Sequence, residues 1–320
     1  MPRHSLIEYL NQRPRNGSDI AFGEPSGYRV VRWSYRDVAV ATAQCARELE
    51  ARGIGLGDRV VLWGHNSAEW VAAFRGCILR GAVAVPIDQG ATSGFACRVA
   101  QEVDAKLIIA ARENDLAGDP RPRLILESLR EDVAHNSAEP YPSPPLDRKA
   151  IAQIIFTSGS TAEPKGVVIS HGNILANLEP LEAVMQPYLR WERVVHPLRF
   201  LDLVPLSHVF GQFMGAWVPP LLGATVFFQD TLNPSETIST IKRERISVLI
   251  AVPRILEALQ HKIERDLETA GALETFRADF TAAANEKPLQ RMWRFRAVSN
   301  WPGIDWQGAR RARSETGCKR

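Results

Sequence analysis

The residues with the clearest chemical potential lie between Ala152 and His171. An apolar run, Ala152-Gln153-Ile154-Ile155-Phe156, ends in Thr157-Ser158-Gly159-Ser160-Thr161. Ala162-Glu163 and the turn Pro164-Lys165-Gly166 follow, and Val167-Val168-Ile169 closes the stretch. The pattern predicts strand, loop, strand. Short side chains allow backbone N–H groups to converge on an anion. Four hydroxyls add donors, and Lys165 adds a point charge of the kind that pairs with phosphate. The Gly-Lys-Ser/Thr ending of a P-loop is missing. A surface hairpin rich in Ser, Thr and Gly has the same composition, so local chemistry leaves both readings open.

A second group is Pro205-Leu206-Ser207-His208-Val209-Phe210-Gly211, whose His208 is either a working imidazole or a hydrogen-bonded core histidine. It opens a run without Asp, Glu, Lys or Arg from Leu203 to Gln229, long enough to span a bilayer. Ser207, His208, Gln212, Pro219-Pro220 and Gly223 argue instead for a buried helix followed by a buried strand.

The elements that must position these groups follow a regular rhythm. Ser34, with Asp37 three residues on, predicts a capped helix to about Arg52. Arg59–Trp63, Ala82–Ile87 and Lys106–Ala110 read as strands, and helices near 67–80 and 95–103 separate them. This βαβαβ alternation predicts an α/β fold with mixed, largely parallel sheets and flanking helices. Asn66 or Ser67 caps the second helix. Prolines 140, 142, 144 and 145 stiffen a connector over 135–148 that divides the chain into subregions of about 1–149 and 150–298. Further on, Asn233-Pro234-Ser235-Glu236 is a strong helix start, with Ile238 and Ile241 facing inward. Pro253-Arg254 opens a helix expected to bury Ile255, Leu256, Leu259 and Ile263.

The chain has 320 residues, 45% of them hydrophobic and 23% charged, as in ordinary water-soluble domains. Its formal charge of +3 singles out no partner. Nine of the 39 Lys and Arg residues lie in 287–320 against only Asp305 and Glu315. That basic segment, with Trp293, Trp301 and Trp306, reads as a solvated tail over 299–320. No nucleic-acid partner is expected, and peripheral contact with a membrane face stays open. Four scattered cysteines fit reduced thiols in the cytoplasm, and the N-terminus opens without the apolar core of a signal peptide.

Thr157 to Gly166 resembles the phosphate-binding signature of the adenylate-forming superfamily, T-S-G-[ST]-[ST]-G-x-P-K-G, at nine of ten positions, with Ala162 in place of Gly. The resemblance implies the large N-terminal domain of such an enzyme over 1–298. It also implies ATP, Mg²⁺ and coenzyme A as cofactors and a carboxylic acid as substrate, activated to acyl-AMP and then to acyl-CoA. By the same resemblance Thr157, Ser158, Gly159, Ser160, Thr161, Lys165 and Gly166 hold the nucleotide phosphates, with Thr161 also at the metal. Lys165 and His208 are the implied catalytic residues. The segment 205–211 is similar to the acyl-CoA synthetase form of a second motif. Relatives that activate amino acids carry an Asp there, so a simple acid is favoured. Trp293-Arg294-Phe295-Arg296 is similar to a segment of long-chain fatty acid–CoA ligases. No Tyr-Gly-x-Thr-Glu or Ser/Thr-Gly-Asp motif occurs in the 320 residues, and the small C-terminal lid domain is expected to be absent. A truncated product, shifted in frame near Val298, is therefore expected. An inactive nucleotide-binding or interaction fragment is the alternative function.

Overall fold

A computed structural model describes residues 3–11, 17–26, 29–116, 118–157, 165–189 and 197–283. These fall into two compact units. One comprises Met1–Asp230 with Ile246–Ala251, the other Thr231–Arg245 with the residues from Val252 onward.

The first unit opens with α1 (Ile7–Leu10), β1 (Ile20–Ser26) and β2 (Arg29–Ser34). It continues through α2 (Tyr35–Ala51), β3 (Arg59–Trp63), α3 (Ala68–Arg80), β4 (Val83–Ile87), α4 (Ser93–Glu102) and β5 (Leu107–Ala110). Next come β6 (Arg123–Ile125), α5 (Leu129–Val133), β7 (Ile151–Thr157), β8 (Lys165–Ser170), α6 (His171–Met185) and β9 (Arg199–Asp202). A composite helix follows: α7 (Val209–Gln212), a π-helical turn (Phe213–Trp217) and α8 (Val218–Leu221). The charge-free run is thus a helix and then a strand, β10 (Thr225–Phe228). No helix among the described residues is long and apolar enough to cross a membrane.

Six strands form one sheet in the order β6-β5-β3-β4-β7-β8, parallel except for the β7–β8 pair. The period-2 alternation of strand side chains explains why β3 is apolar from Val60 to Trp63. Val61 and Trp63 pack on one face with Val85, Ile87, Val99 and Ile108. Val60 and Leu62 pack on the other with Leu49, Phe74, Ile78 and Leu107. A parallel strand covered on both sides needs this composition. The second sheet has the order β11-β9-β10-β1-β2, with β11 spanning Val248–Ile250 and only β1–β2 antiparallel.

Local chemistry sets the helix ends. Ser34 caps α2 and forms a reciprocal capping box with Asp37. Of the two candidates for the α3 cap, Ser67 takes the role by accepting the Trp70 N–H at 3.0 Å, which leaves Asn66 free for another task.

The second unit holds α9 (Pro234–Arg243), α10 (Pro253–Thr269) and α11 (Leu273–Ala283). Asn233 caps α9 as expected. The buried positions of α9 are Thr237 and Thr240, with Ile238 and Ile241 only half-buried. In α10, Ile255 and Leu259 are buried, but Leu256 and Ile263 are 48% and 41% exposed. Ile255, Leu259, Ile263 and Leu267 lie four apart on one line, of which Ile263 is exposed, whereas Leu256 lies off that line and projects away.

Two buried polar features tie the first unit together. Gln153 in β7 and Gln212 in α7 exchange amide hydrogen bonds in both directions, at 2.8 and 2.9 Å, with both side chains buried. At the end of β9, Asp202 is fully buried. Its Oδ1 accepts the Val204 N–H at 3.0 Å, while Oδ2 has no partner among the described residues and faces Gly215. Burial pushes this carboxyl up to about 8.

Both features give measurable outcomes. Gln153→Leu strands the Gln212 amide and is expected to cost about 1–3 kcal/mol in urea unfolding. The double change with Gln212→Leu should recover much of that loss, whereas strictly additive losses would refute the pairing. For Asp202, the unfolded chain gives up its proton near the ordinary value of about 3.9, the folded chain only near 8. Stability is therefore greatest at low pH and declines as pH rises through this window, at up to about 1.4 kcal/mol per pH unit. Asp202→Asn should remove that decline, so its advantage over wild type in urea midpoint grows from about pH 5 to about pH 8. An advantage that stays constant with pH would contradict the assignment.

Candidate functional site

Lys165 and Gly166 open β8, the edge strand. Lys165 stands opposite Thr157 across the antiparallel pair, and its side chain is exposed. Gly166 lies opposite Phe156, and a side chain at 166 would meet the Phe156 ring and Ile154 at 3.0 Å. Glycine is therefore required there for the aromatic ring to lie across the ladder. The backbone of Thr157 ends β7. Ser158, Gly159, Ser160 and Thr161, with Ala162, Glu163 and Pro164, lie outside the described residues. The metal role expected of Thr161 therefore has no structural description.

His208 sits in the turn between β9 and α7 and is exposed, its side chain retaining 59% accessibility. It is therefore no core histidine. Its Nε2 lies 3.6 Å from Asp88 Oδ2, close enough for an ion pair when the ring is protonated. The same carboxylate oxygen accepts the Ser207 hydroxyl at 3.1 Å. Asp88 Oδ1 accepts the Gly90 N–H at 2.9 Å, and the Asp88 carbonyl accepts the indole N–H of Trp63 at 3.1 Å. Both carboxylate oxygens are thus occupied, and the group is held as an orienting anion beside the imidazole.

The turn carrying His208 is fixed from a third side. Asn66 donates to the Val204 carbonyl at 2.9 Å and accepts the Leu206 N–H at 2.7 Å. An amide that bonds in both directions mimics a strand neighbour and holds 204–206 in one conformation. Neither Asn66 nor Asp88 was among the sequence candidates. Asn66 looked like a helix cap. Asp88 is one acid just past a strand, and only the sheet order brings it to the motif 119 residues away.

The register joins the two motifs. Ala84 of β4 pairs with Gln153 of β7 in parallel. Four residues further along each strand bring Asp88 and Thr157 to the same level, at the carboxyl ends where open α/β sheets bind ligands. His208 stands at Asp88, and Lys165 stands across from Thr157. The structure therefore gathers His208, Asp88, Ser207 and Lys165 at one sheet end. Exposed Val209 and Phe210, at 41% and 54%, place apolar surface directly beside the imidazole. Such an arrangement can hold an anion near Lys165 and an apolar body near His208. Among the described residues no cluster of three His, Cys, Asp or Glu side chains could hold a metal ion.

Comparison with known proteins follows the same lines. Residues 11–300 match the family described as AMP-binding enzyme. The chain is 27% identical over 262 residues to the long-chain-fatty-acid–CoA ligase ACSBG2 of Rattus norvegicus, covering 72% of this chain and 38% of that one. It is 29% identical over 234 residues to an L-proline–[L-prolyl-carrier protein] ligase of Pseudomonas fluorescens, covering 70% of this chain and 46% of the other. ATP-bound MatB from Rhodopseudomonas palustris superposes with a TM-score of 0.67 at 21% identity, over 80% of this chain and 50% of MatB. The chain thus spans less than half the length of these curated relatives, and the fold is that of the N-terminal domains of adenylate-forming enzymes. With its phosphate-loop sequence, its histidine turn and its doubly covered parallel sheet, the chain belongs to the AMP-binding enzyme family.

Proposed function

We propose that the site binds the triphosphate of ATP beside a carboxylic acid, as the first half of an acyl-adenylate-forming ligase reaction. The observation that carries this reading is the shared register of Thr157, Lys165 and the His208–Asp88 pair at one carboxyl end of the sheet. In the reaction the acid carboxylate attacks the α-phosphorus of ATP, the bond to pyrophosphate breaks, and acyl-AMP forms. A thiol, coenzyme A in the simplest case, then displaces AMP. Mg²⁺, when bound, would neutralise phosphate charge; Thr161 is the residue assigned to it by sequence.

The chain's own groups have distinct tasks. Lys165 supplies a cation to the phosphates, and the 157–161 segment supplies hydroxyl and backbone donors for charge building on the leaving group. His208, steadied by Asp88, presents its imidazole beside the acid. The uncovered Val209 and Phe210 support an acid with an apolar chain, and a fatty acid is the substrate class this reading favours. A reaction that consumes ATP and a free thiol supports a cytoplasmic location.

Residues of the kind that relatives use for the ribose and the adenylate have no counterpart in the 320 positions. Binding of ATP should accordingly outlast turnover. Titration calorimetry with ATP and Mg²⁺ is expected to show Lys165→Ala binding about tenfold or more weakly, the loss of one charge-assisted contact. Unchanged affinity would overturn the phosphate assignment. A pyrophosphate-release assay with fatty acids should show little acid-dependent turnover by this chain, and brisk release would refute that part of the reading.

A further inference from the structure

A second concavity of the first unit lies away from the site just described. It measures about 760 Å³, and its wall includes Val40 and Thr42 of α2, Arg75 and Leu79 of α3, and Trp217 and Leu222. The volume is that of a small-molecule site. Leu222 and Gly223, also in the wall, precede β10, so this cavity opens at the amino end of the sheet whose carboxyl end leads to His208.

Arg75 is the unusual feature of the wall. It sits in an otherwise apolar stretch of α3 between buried Phe74 and Cys77. Its Nη2 donates to the Ala216 carbonyl at 2.6 Å. That carbonyl needs an outside donor because the residue four positions on, Pro220, has no N–H. Among the described residues this is Arg75's only side-chain hydrogen bond, and it makes no ion pair. Its Nε is buried without a partner. Burial pushes the guanidinium down to about 10, which still leaves it charged at neutral pH. The acid Glu182 also lines the cavity, but Arg3 and Tyr9 hold it at 2.6 and 2.8 Å.

A half-buried guanidinium without a counter-ion is costly to hold out of water. One carbonyl contact does not explain why α3 carries a five-donor cation where leucine would pack. From Arg75, which among the described residues meets one carbonyl and no acid in the wall of this cavity, we infer a second ligand site for an organic anion with an acidic head and an apolar body. The head pairs with Arg75, and the body lies along Val40, Leu79 and Leu222. This inference does not depend on the acyl-adenylate reading, since it uses none of the same residues.

The test is calorimetric titration of the full 320-residue chain with decanoate in the absence of ATP, with decan-1-ol as the neutral control. Wild type should bind decanoate at least tenfold more tightly than decan-1-ol. Arg75→Leu should lower decanoate affinity at least tenfold while leaving decan-1-ol unchanged, and Arg75→Lys, which keeps the charge, should weaken decanoate by a smaller factor. His208→Ala should leave decanoate binding at this cavity intact. Far-UV circular dichroism of each variant checks its fold. Should Arg75→Leu not fold, the Arg75→Lys titration and the decanoate-to-decanol ratio decide the matter. Equal binding of acid and alcohol, or decanoate affinity lost with His208→Ala and kept in the cavity variants, would overturn the inference.

Discussion

A fully buried strand position has no water for a polar side chain. β7 places Gln153 at such a position, and the structure answers with the reciprocal amide pair to Gln212. The pair is the physical link between two segments that must cooperate. On one side is the strand leading into the Ser/Thr/Gly loop; on the other is the helix that begins just after His208. Each amide satisfies the other's donor and acceptor, so the pair is specific in direction as well as location. A leucine pair could fill the space but would not define how far α7 slides along β7. With Gln153 also in register with Ala84, the same residue sets the level of Asp88 relative to Thr157. The alignment of the candidate site thus rests on one buried polar contact and one parallel backbone register.

Much of the scaffold was legible because its signals are local. The β-branched runs at 59–63 and 83–87, the Ser34–Asp37 capping box and the Asn233-Pro234 start each specify an element within a few residues. The long, specific stretch at 157–166 likewise announced the family, which the match over residues 11–300 bears out. The partners of His208 were not legible. Asp88 reaches it through the order of strands in a sheet, and Asn66 through a turn-to-turn clamp, neither of which has a sequence period. The amide pair was hidden for the same reason, since a glutamine in a strand and another in a helix advertise nothing. In α10 the error was geometric. Four apolar residues suggested one broad face, but Leu256 lies off the line of Ile255 and Leu259, and Ile263, on that line, stays exposed.

The electrostatic design of the first unit is asymmetric. At the candidate site the charges are exposed and supported: Asp88 has partners on both oxygens, and Lys165 faces solvent. Inside the unit, titratable groups are held out of water with few partners. Asp202 and Glu24 are each held near 8 by burial, with the repulsion of Glu69 adding to the rise at Glu24. His171 is pushed down to about 4 by burial and accepts the Leu6 N–H as a neutral ring. The interior thus keeps these three groups uncharged at neutral pH, while Arg75 stays ionised in its cavity wall.

The π-helical turn at 213–217 changes how the helix after His208 should be counted. A π turn is an α-helix with one residue too many, and it shifts everything downstream by about 100° around the axis relative to an uninterrupted helix. Upstream, Gln212 keeps its phase with β7. Downstream, the turn ends at Trp217, in the wall of the second cavity, just before Pro219-Pro220. The inserted residue therefore behaves as a phase adjuster between two sites on one helix. It lets the half that serves the sheet end and the half that serves the cavity hold different angular settings within a single continuous segment.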